Sequence, residues 1–270
     1  MPHDILLRFV HISDTHLSPD PDYTYTDRTI PLSMPGAKAL VQQVNNLPFT
    51  PDFVMHTGDV AYDPDPAAYQ TAREILGQIK YPTYYLTGNH DDPSTLQQVM
   101  LQREQPLSPF CYEFEVNGVQ IICLDTQSAV KQAGIKDPAG WMDDAQLAWL
   151  DKLVSANDAR PLLVMMHHNP LKVGVPWFDD FMALQNGEPL HASLLKARAR
   201  LRGVFFGHIH QNVDIYRDGI LYSSVLSSWY QLHSYPGQDK TWVDDYAEPG
   251  FNVVTVTRDQ TFIRRHRFSV

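Results

Sequence analysis

Apolar residues gather in short runs along this chain, and two periods organise them. Strand-like runs fall at residues 6–13, 52–57, 83–86, 110–116, 119–124 and 162–166. Further runs follow at 203–206, 213–216, 220–225, 251–257 and 261–267. Helical spacing appears at 36–46, 67–79, 94–103, 143–156 and 190–201. In the fourth of these, Leu147, Leu150, Leu153 and Val154 recur at helical period as one apolar stripe. Strands and helices alternate early, whereas the middle and C-terminal strands come as hairpins. That order predicts an α+β pair of mixed sheets flanked by helices, rather than a doubly wound parallel sheet. The chain reads as one domain over 1–270, with residues 171–189 an insertion and 211–270 supplying strands that complete the sheets.

The polar residues obey a second rule. Early apolar runs end directly in short stretches rich in Asp, His, Asn and Gly: "VHISDTH", "VMHTGDV", "YYLTGNHDD", "LLVMMHHNP" and "VFFGHIH". The last of these raises a question by itself. His208 and His210 sit one residue apart after a strand and a glycine, which suits packing, a pH switch or a metal site. Five strand ends that each deliver such side chains point to one shared rim, by analogy with open α/β sheets, where ligands gather beyond strand ends.

Composition narrows the partners. A formal charge of −10 argues against a nucleic-acid polymer, which needs a concentrated basic surface. It leaves room for a small phosphate ester held at a local positive site. No run approaches the ~18 consecutive apolar residues that span a bilayer. The N-terminal "MPHDILLRFVHISD" is too polar for a secretory signal, so a soluble, cytoplasmic protein with no membrane partner is expected. Asn117-Gly118 between two strand-like runs signals a two-residue hairpin turn. The register then pairs Tyr112 with Cys123 and puts Cys111 and Cys123 on opposite faces. Two unbridged thiols fit a reducing compartment.

Taken singly, each polar element is weak. An isolated strand histidine is more often a satisfied core residue, and Gly-Asp or Gly-Asn is more often a turn. Together they are not weak. Asp14, His16, Asp59, Asn89, His167, His208 and His210 all follow apolar runs directly. Seven oxygen and nitrogen donors suit two divalent transition ions that share a carboxylate. Imidazole with carboxylate favours Mn, Fe, Zn or Co over Ca, and the lack of a Cys cluster argues against structural zinc. His11 lies within its strand and reads as structural; His56 and His191 have no pattern that supports a role.

In chain order, "DTH", "GDV", "GNHD", "HH" and "GHIH" resemble the calcineurin-like metallophosphoesterase signature of D-x-H, G-D, G-N-H-D/E, H and G-H-x-H. Within that superfamily the blocks are most similar to bacterial class III cyclic-nucleotide phosphodiesterases and related glycerophosphodiesterases. Phosphoprotein phosphatases match less well, because "DVAYDPDP" stands where they carry a longer charged pattern. The resemblance implies a four-layer α/β/β/α sandwich and two divalent ions, Mn, Fe or Zn. It places Asp14, His16 and His210 on the first ion, Asp59 between the two, and Asn89, His167 and His208 on the second. In the HH pair the family pattern favours His167, the first residue off the strand, over His168. Asn169 stands where relatives often have Pro.

The same resemblance implies attack on a phosphodiester by a hydroxide bridging the ions. His90 would contact a phosphoryl oxygen or protonate the leaving alkoxide, with Asp91 orienting its imidazole. Asn89, His90, Trp177, Tyr230 and His233 are the expected substrate-binding residues, Trp177 either walling the pocket or packing its loop down. None of the five motif loops contains Arg or Lys, which favours a singly charged diester over a monoester unless Lys172 or Arg217 folds in from outside. A small phosphodiester is therefore the expected partner, with a 3′,5′-cyclic nucleotide such as cAMP favoured. The alternatives are a glycerophosphodiesterase, a broad phosphomonoesterase or nuclease on the same site, and a non-catalytic scaffold. Dimers are common in the group, so a homodimer stays open.

Overall fold

A computed structural model describes residues 4–23 and 32–270. The elements run β1 (Ile5–Ile12), α1 (Ser33–Asn45), β2 (Phe53–His56), α2 (Pro66–Leu76), β3 (Thr83–Tyr85) and α3 (Pro93–Val99). Then come β4 (Tyr112–Val116), β5 (Val119–Cys123), α4 (Asp144–Val154), β6 (Leu162–Met165) and α5 (Gly187–Leu194). The chain closes with β7 (Leu201–Phe206), β8 (Asp214–Arg217), β9 (Ile220–Ser224), β10 (Gly250–Thr257) and β11 (Thr261–Arg267). Helix starts are written into the sequence as Asp before Pro. Asp65 and Asp92 accept N–H bonds from the first turns of α2 and α3, each of which opens on a proline.

Two mixed sheets result, ordered β11-β10-β1-β2-β3 and β4-β5-β6-β7-β9-β8. Between them lies a dry layer that includes Leu7, Phe9, Phe53, Met55, Ile121, Leu163, Met165 and Phe205, all without solvent exposure. Phe9 stacks on Phe53 at 5.0 Å and meets Phe205 edge-on at 5.2 Å, stitching the sheets together. Helices α1 and α2 cover the outer face of the first sheet through Leu40, Val44, Tyr69 and Ala72. Helices α4 and α5 cover the second through Leu150, Val154, Leu190 and Leu194. The layers therefore stack α/β/β/α, as expected.

Strands β1, β2 and β3 run parallel in the first sheet, and β5, β6, β7 and β9 run parallel in the second. Parallel neighbours bring their C-terminal ends to one edge, so the stretches after β1, β2 and β3 lie together, as do those after β6 and β7. The hairpin register is the expected one: Tyr112 faces Cys123, and Asn117 and Gly118 turn at φ 52° and 77°. Both thiols are free.

Two local expectations fail. The helix expected to reach Leu201 ends at Leu194 and passes through a 3-10 turn, because Leu201 pairs with Leu162 at the start of β7. Residues Trp177–Met182 form a π-helical turn that the sequence pattern did not announce. No helix among the described residues is long and apolar enough to cross a membrane.

Candidate metal centre

Each strand must turn sharply as it leaves the sheet if its side chain is to point back over the edge. Five proposed ligands do so in the left-handed region: Asp14, His16, Asp59, His208 and His210, at φ 55°, 44°, 53°, 71° and 46°. Non-glycine residues rarely adopt that conformation, and its cost of about 1–3 kcal/mol each persists only where surroundings enforce it. Here the enforcement is a backbone zipper. Asp14 N–H donates to Gly58 O and His16 N–H to Asp59 O, both at 3.0 Å, tying the β1 exit to the β2 exit. Glycine is required beside two of the ligands: a Cβ on Gly88 would strike the Asp59 carboxylate, and one on Gly207 would strike Ser13 and Asp14.

The rim collects into two groups of side chains. In the first, His16 Nε2 lies 3.1 Å from His210 Nε2, which is 3.4 Å from Asp14 Oδ1. In the second, Asp59 gathers with His167 and His208, and Asn89 Oδ1 lies 3.3 Å from His167 Nε2. Asp59 joins them. Its Oδ2 is 3.6 Å from His16 Nε2 and 3.3 Å from His167 Nε2, while Oδ1 accepts the His90 N–H at 2.9 Å. One carboxylate oxygen thus faces both groups and the other is anchored to the backbone.

Hydrogen bonds behind the centre set which nitrogen each imidazole presents. His167 Nδ1 donates to Thr57 O (2.8 Å), His208 Nε2 to Met182 O (3.0 Å) and His210 Nδ1 to Tyr230 O (2.8 Å). Each thereby turns its other nitrogen toward the carboxylates. Charges agree with that arrangement. Burial alone would raise Asp14 and Asp59, yet His210 beside the first and His167 beside the second hold both well below the usual carboxylate range. Burial keeps His16 and His208 neutral, the latter at about 3. Burial would also lower His167, but Asp59 and Asp14 outweigh it and hold it up at about 9. Two anions and several imidazole nitrogens converge here, and among the described residues no Arg or Lys is paired with them. Such a cluster calls for cations, and its mixed imidazole, carboxylate and amide donors fit divalent transition ions.

A family model described as calcineurin-like phosphoesterase matches residues 7–212. The chain belongs to that family. This phosphoesterase is 30% identical over 208 residues to a glycerophosphodiester phosphodiesterase, GpdQ, of Enterobacter lignolyticus, covering 74% of this chain and 69% of that protein. It is 27% identical over 251 residues to a 3′,5′-cyclic adenosine monophosphate phosphodiesterase, CpdA, of Vibrio vulnificus, covering 93% and 85%. Among solved structures, a dimetal phosphatase from Danio rerio shares the fold at TM-score 0.67 and 15% identity, covering 96% of this chain and 99% of that one.

Within the phosphoesterase, the paired histidines face different ways. Both His168 nitrogens are engaged away from the centre, Nδ1 with Thr126 Oγ1 at 2.6 Å and Nε2 with Pro138 O at 3.0 Å. His167 is the one turned inward. His90 donates Nδ1 to Tyr62 O at 2.8 Å, and its other nitrogen joins His16 and Asp59. Asp91 requires a correction. Its carboxylate accepts from the backbone N–H groups of Val60, Ala61 and Gly88 and from Tyr69 Oη, so it braces two ligand loops and does not orient the His90 ring. That ring is held instead by a backbone carbonyl, which no side-chain pattern reveals.

The expected pocket residues divide. Tyr230 is at the centre: its ring lies 4.7 Å from His210 and its carbonyl holds that imidazole. Trp177 meets Phe181 at a tilt, 4.8 Å between ring centres, and packs against the outer core of the second sheet, which is the loop-packing role. His233 is drawn toward Trp242, at 5.2 Å, and Asp244. Lys172 pairs with Asp180, and Arg217 with Glu188 and Asp218, so neither is held at the centre. His11 and His56 are buried and bonded to Thr57 and Thr15, in keeping with structural roles.

Sequence reasoning missed an aromatic wall beside the first group. His16 is flanked by Trp229 at 5.5 Å and Tyr62 at 6.0 Å, and Tyr62 meets His90 at 4.7 Å and Tyr23 at 5.0 Å. These rings come from three distant stretches. Only Tyr62, three residues after Asp59, carried a local signal.

Proposed function

We propose that this phosphoesterase is a dinuclear phosphodiesterase of small diesters, with 3′,5′-cyclic nucleotides as its substrate class. The observation that carries the reading is the aromatic wall of Tyr23, Tyr62, Trp229 and Tyr230 beside a centre whose groups share Asp59. Tyr23, Tyr62 and Tyr230 stay partly exposed in front of the buried Trp229, which supports a planar base next to the phosphoryl position, since stacking on aromatic rings favours bases over a glycerol arm. Asp14, His16 and His210 would hold one ion, Asn89, His167 and His208 the other, and Asp59 both. When bound, such ions acidify a water and neutralise phosphoryl oxygens.

The chain's own residues do the rest. Asn89 and His90, the half-buried members, line the open side where a phosphoryl group can enter. The Tyr62 carbonyl holds the His90 Nδ1–H, which turns Nε2 to the site, where in the doubly protonated ring it can hand a proton to the leaving ester oxygen. Water adds to phosphorus and one ester P–O bond breaks, so that a cyclic diester opens to a single monoester that carries the freed hydroxyl. The scarcity of nearby cations supports a monoanionic diester over a dianionic monoester, which asks for bidentate Arg partners. The unbridged Cys111 and Cys123 support a cytoplasmic setting.

The test is a substrate panel with Mn²⁺ at pH 7–8. Cyclic AMP should exceed glycerophosphoethanolamine in kcat/KM, and bis(p-nitrophenyl) phosphate should exceed p-nitrophenyl phosphate. Replacing Tyr62 with Leu should cut the first ratio. A preference for the glycerol diester that Tyr62→Leu leaves intact overturns the cyclic-nucleotide reading, and a monoester preference overturns the diesterase reading.

A further inference from the structure

Strand β9 sends one more exit to the rim. It runs parallel to β7, so its C-terminal end lies beside the stretch that carries His208 and His210. That exit, residues 225–231, supplies none of the proposed ligands, yet all of it except Tyr230 is buried. Two of its polar side chains, Ser227 and Gln231, have no solvent exposure at all. Burying such groups costs stability unless they are bonded, and both are. Gln231 accepts the Ser227 N–H at 3.0 Å through Oε1 and donates Nε2 to Ser227 O at 2.9 Å. The same carbonyl accepts the N–H of Gly250, at the start of β10. With its backbone so braced, Ser227 uses its hydroxyl twice: Oγ accepts the Trp229 N–H at 2.9 Å and donates to Asp14 O at 2.6 Å.

These bonds converge on the first group of the centre. Asp14 stands at φ 55°, and both of its backbone groups are held, the N–H by Gly58 O at 3.0 Å and the carbonyl by Ser227. Its carboxylate accepts the His208 N–H. Just beyond Ser227, the Trp229 ring flanks His16 at 5.5 Å and the Tyr230 carbonyl holds His210 Nδ1 at 2.8 Å. One short turn therefore reaches Asp14 through a hydroxyl, His16 through an indole and His210 through a carbonyl. The imidazoles of the second group rest instead on the carbonyls of Thr57 and Met182.

We propose that Ser227 is a positioning residue for the first half of the centre. Its hydroxyl locks the left-handed Asp14 backbone to the turn that carries Trp229 and Tyr230, so that Asp14, His16 and His210 meet an ion as one preset unit. This rests on the reading of that group as an ion site. Ligands serve a divalent ion well only when held within about 0.5 Å of their places. Removing the hydroxyl strands the Asp14 carbonyl and the Trp229 N–H together, and it frees Asp14 to leave a strained conformation. The half it braces should loosen, and the half it does not touch should keep its ion.

The experiment is a calorimetric titration of the metal-free full chain with Mn²⁺, run as two double-mutant cycles. Partners that orient a ligand are typically worth 10–100-fold in metal affinity, so Ser227→Ala should weaken one of the two ions by about tenfold and leave the other unchanged. Combined with His16→Ala, which already damages the first half, Ser227→Ala should add less than about twofold, because coupled sites are not additive. Combined with Asn89→Ala, in the second half, it should show its full factor. Ser227→Thr, which keeps the hydroxyl, should stay within about twofold of the wild type. Circular dichroism checks that each variant folds; if Ser227→Ala does not, Gln231→Ala, which unbraces the same turn, takes its place in both cycles. Unaltered Mn²⁺ affinity, or the same factor in both cycles, overturns the proposal. A wild type that takes up no Mn²⁺ would overturn the ion-site reading itself, and the proposal with it.

Discussion

The two halves of the centre are built from the same kind of strand exit, yet they balance charge and orientation differently. The half around Asp14, His16 and His210 has its own buried carboxylate besides the shared Asp59, so two anions serve it. Its His16, however, has a buried Nδ1 without a hydrogen-bond partner among the described residues, and aromatic rings rather than a carbonyl hold the imidazole. The half around Asn89, His167 and His208 has only the shared anion and a neutral amide, but carbonyls of Thr57 and Met182 fix both of its imidazoles. Charge should dominate affinity, because a carboxylate offers a cation far more than an amide does. The first half should hold its ion more tightly, and the second should be the exchangeable one, open at Asn89 to the phosphoryl group.

The largest expected effect comes from removing what the halves have in common. Asp59→Asn should lower kcat/KM by ~10³-fold or more, the equivalent of several kcal/mol of transition-state stabilisation. Metal analysis should show loss at both halves; two retained ions with near-normal turnover would refute the shared role. His90→Ala tests the open side. A proton donor is worth ~10²–10⁴-fold, and the loss should be larger for alkoxide than for nitrophenoxide leaving groups. Equal losses would assign His90 to phosphate positioning.

A smaller effect separates the halves. His16→Ala should weaken the first ion by ~10–100-fold and be partly rescued by excess Mn²⁺, as for a lost orienting or ligating imidazole. Asn89→Asp should tighten the second ion, and an unchanged affinity would show that charge does not rank the two halves. The smallest catalytic effect belongs to Asp91. Asp91→Ala strands N–H groups of both ligand loops and should cost about 3 kcal/mol, or roughly 6–10 °C in Tm. Its activity loss should not depend on the leaving group, whereas a dependence matching His90→Ala would restore an orienting role.

Much of this protein was written locally. Period-two and helical patterns marked the strands and helices because each element buries one face or stripe. Asn117-Gly118 set the β4–β5 register, since only a turn with both residues at positive φ closes that hairpin tightly. The clustered Asp, His and Asn side chains were legible as polar residues abutting apolar runs, because a parallel strand can deliver a side chain to the sheet edge only where it ends. The π-helical turn at Trp177–Met182 was not legible, nor was its service to the site through the Met182 carbonyl. Backbone carbonyls have no letter in the sequence.

Tertiary structure alone decided three things. It turned His167 toward Asp59 and occupied both nitrogens of the adjacent, chemically identical His168 with Thr126 and Pro138. It took Asp91 from the His90 ring and gave it to backbone N–H groups, because an anion in a buried turn is drawn to the densest cluster of donors. It also assembled Tyr23, Tyr62, Trp229 and Tyr230 into one wall. The sequence by itself determined which side chains stand at which strand ends, since that follows from period and punctuation within a few residues. Which of them meet, and which nitrogen each presents, depended on contacts between stretches up to about two hundred residues apart, such as His16 with His210, and local pattern carries no information about those.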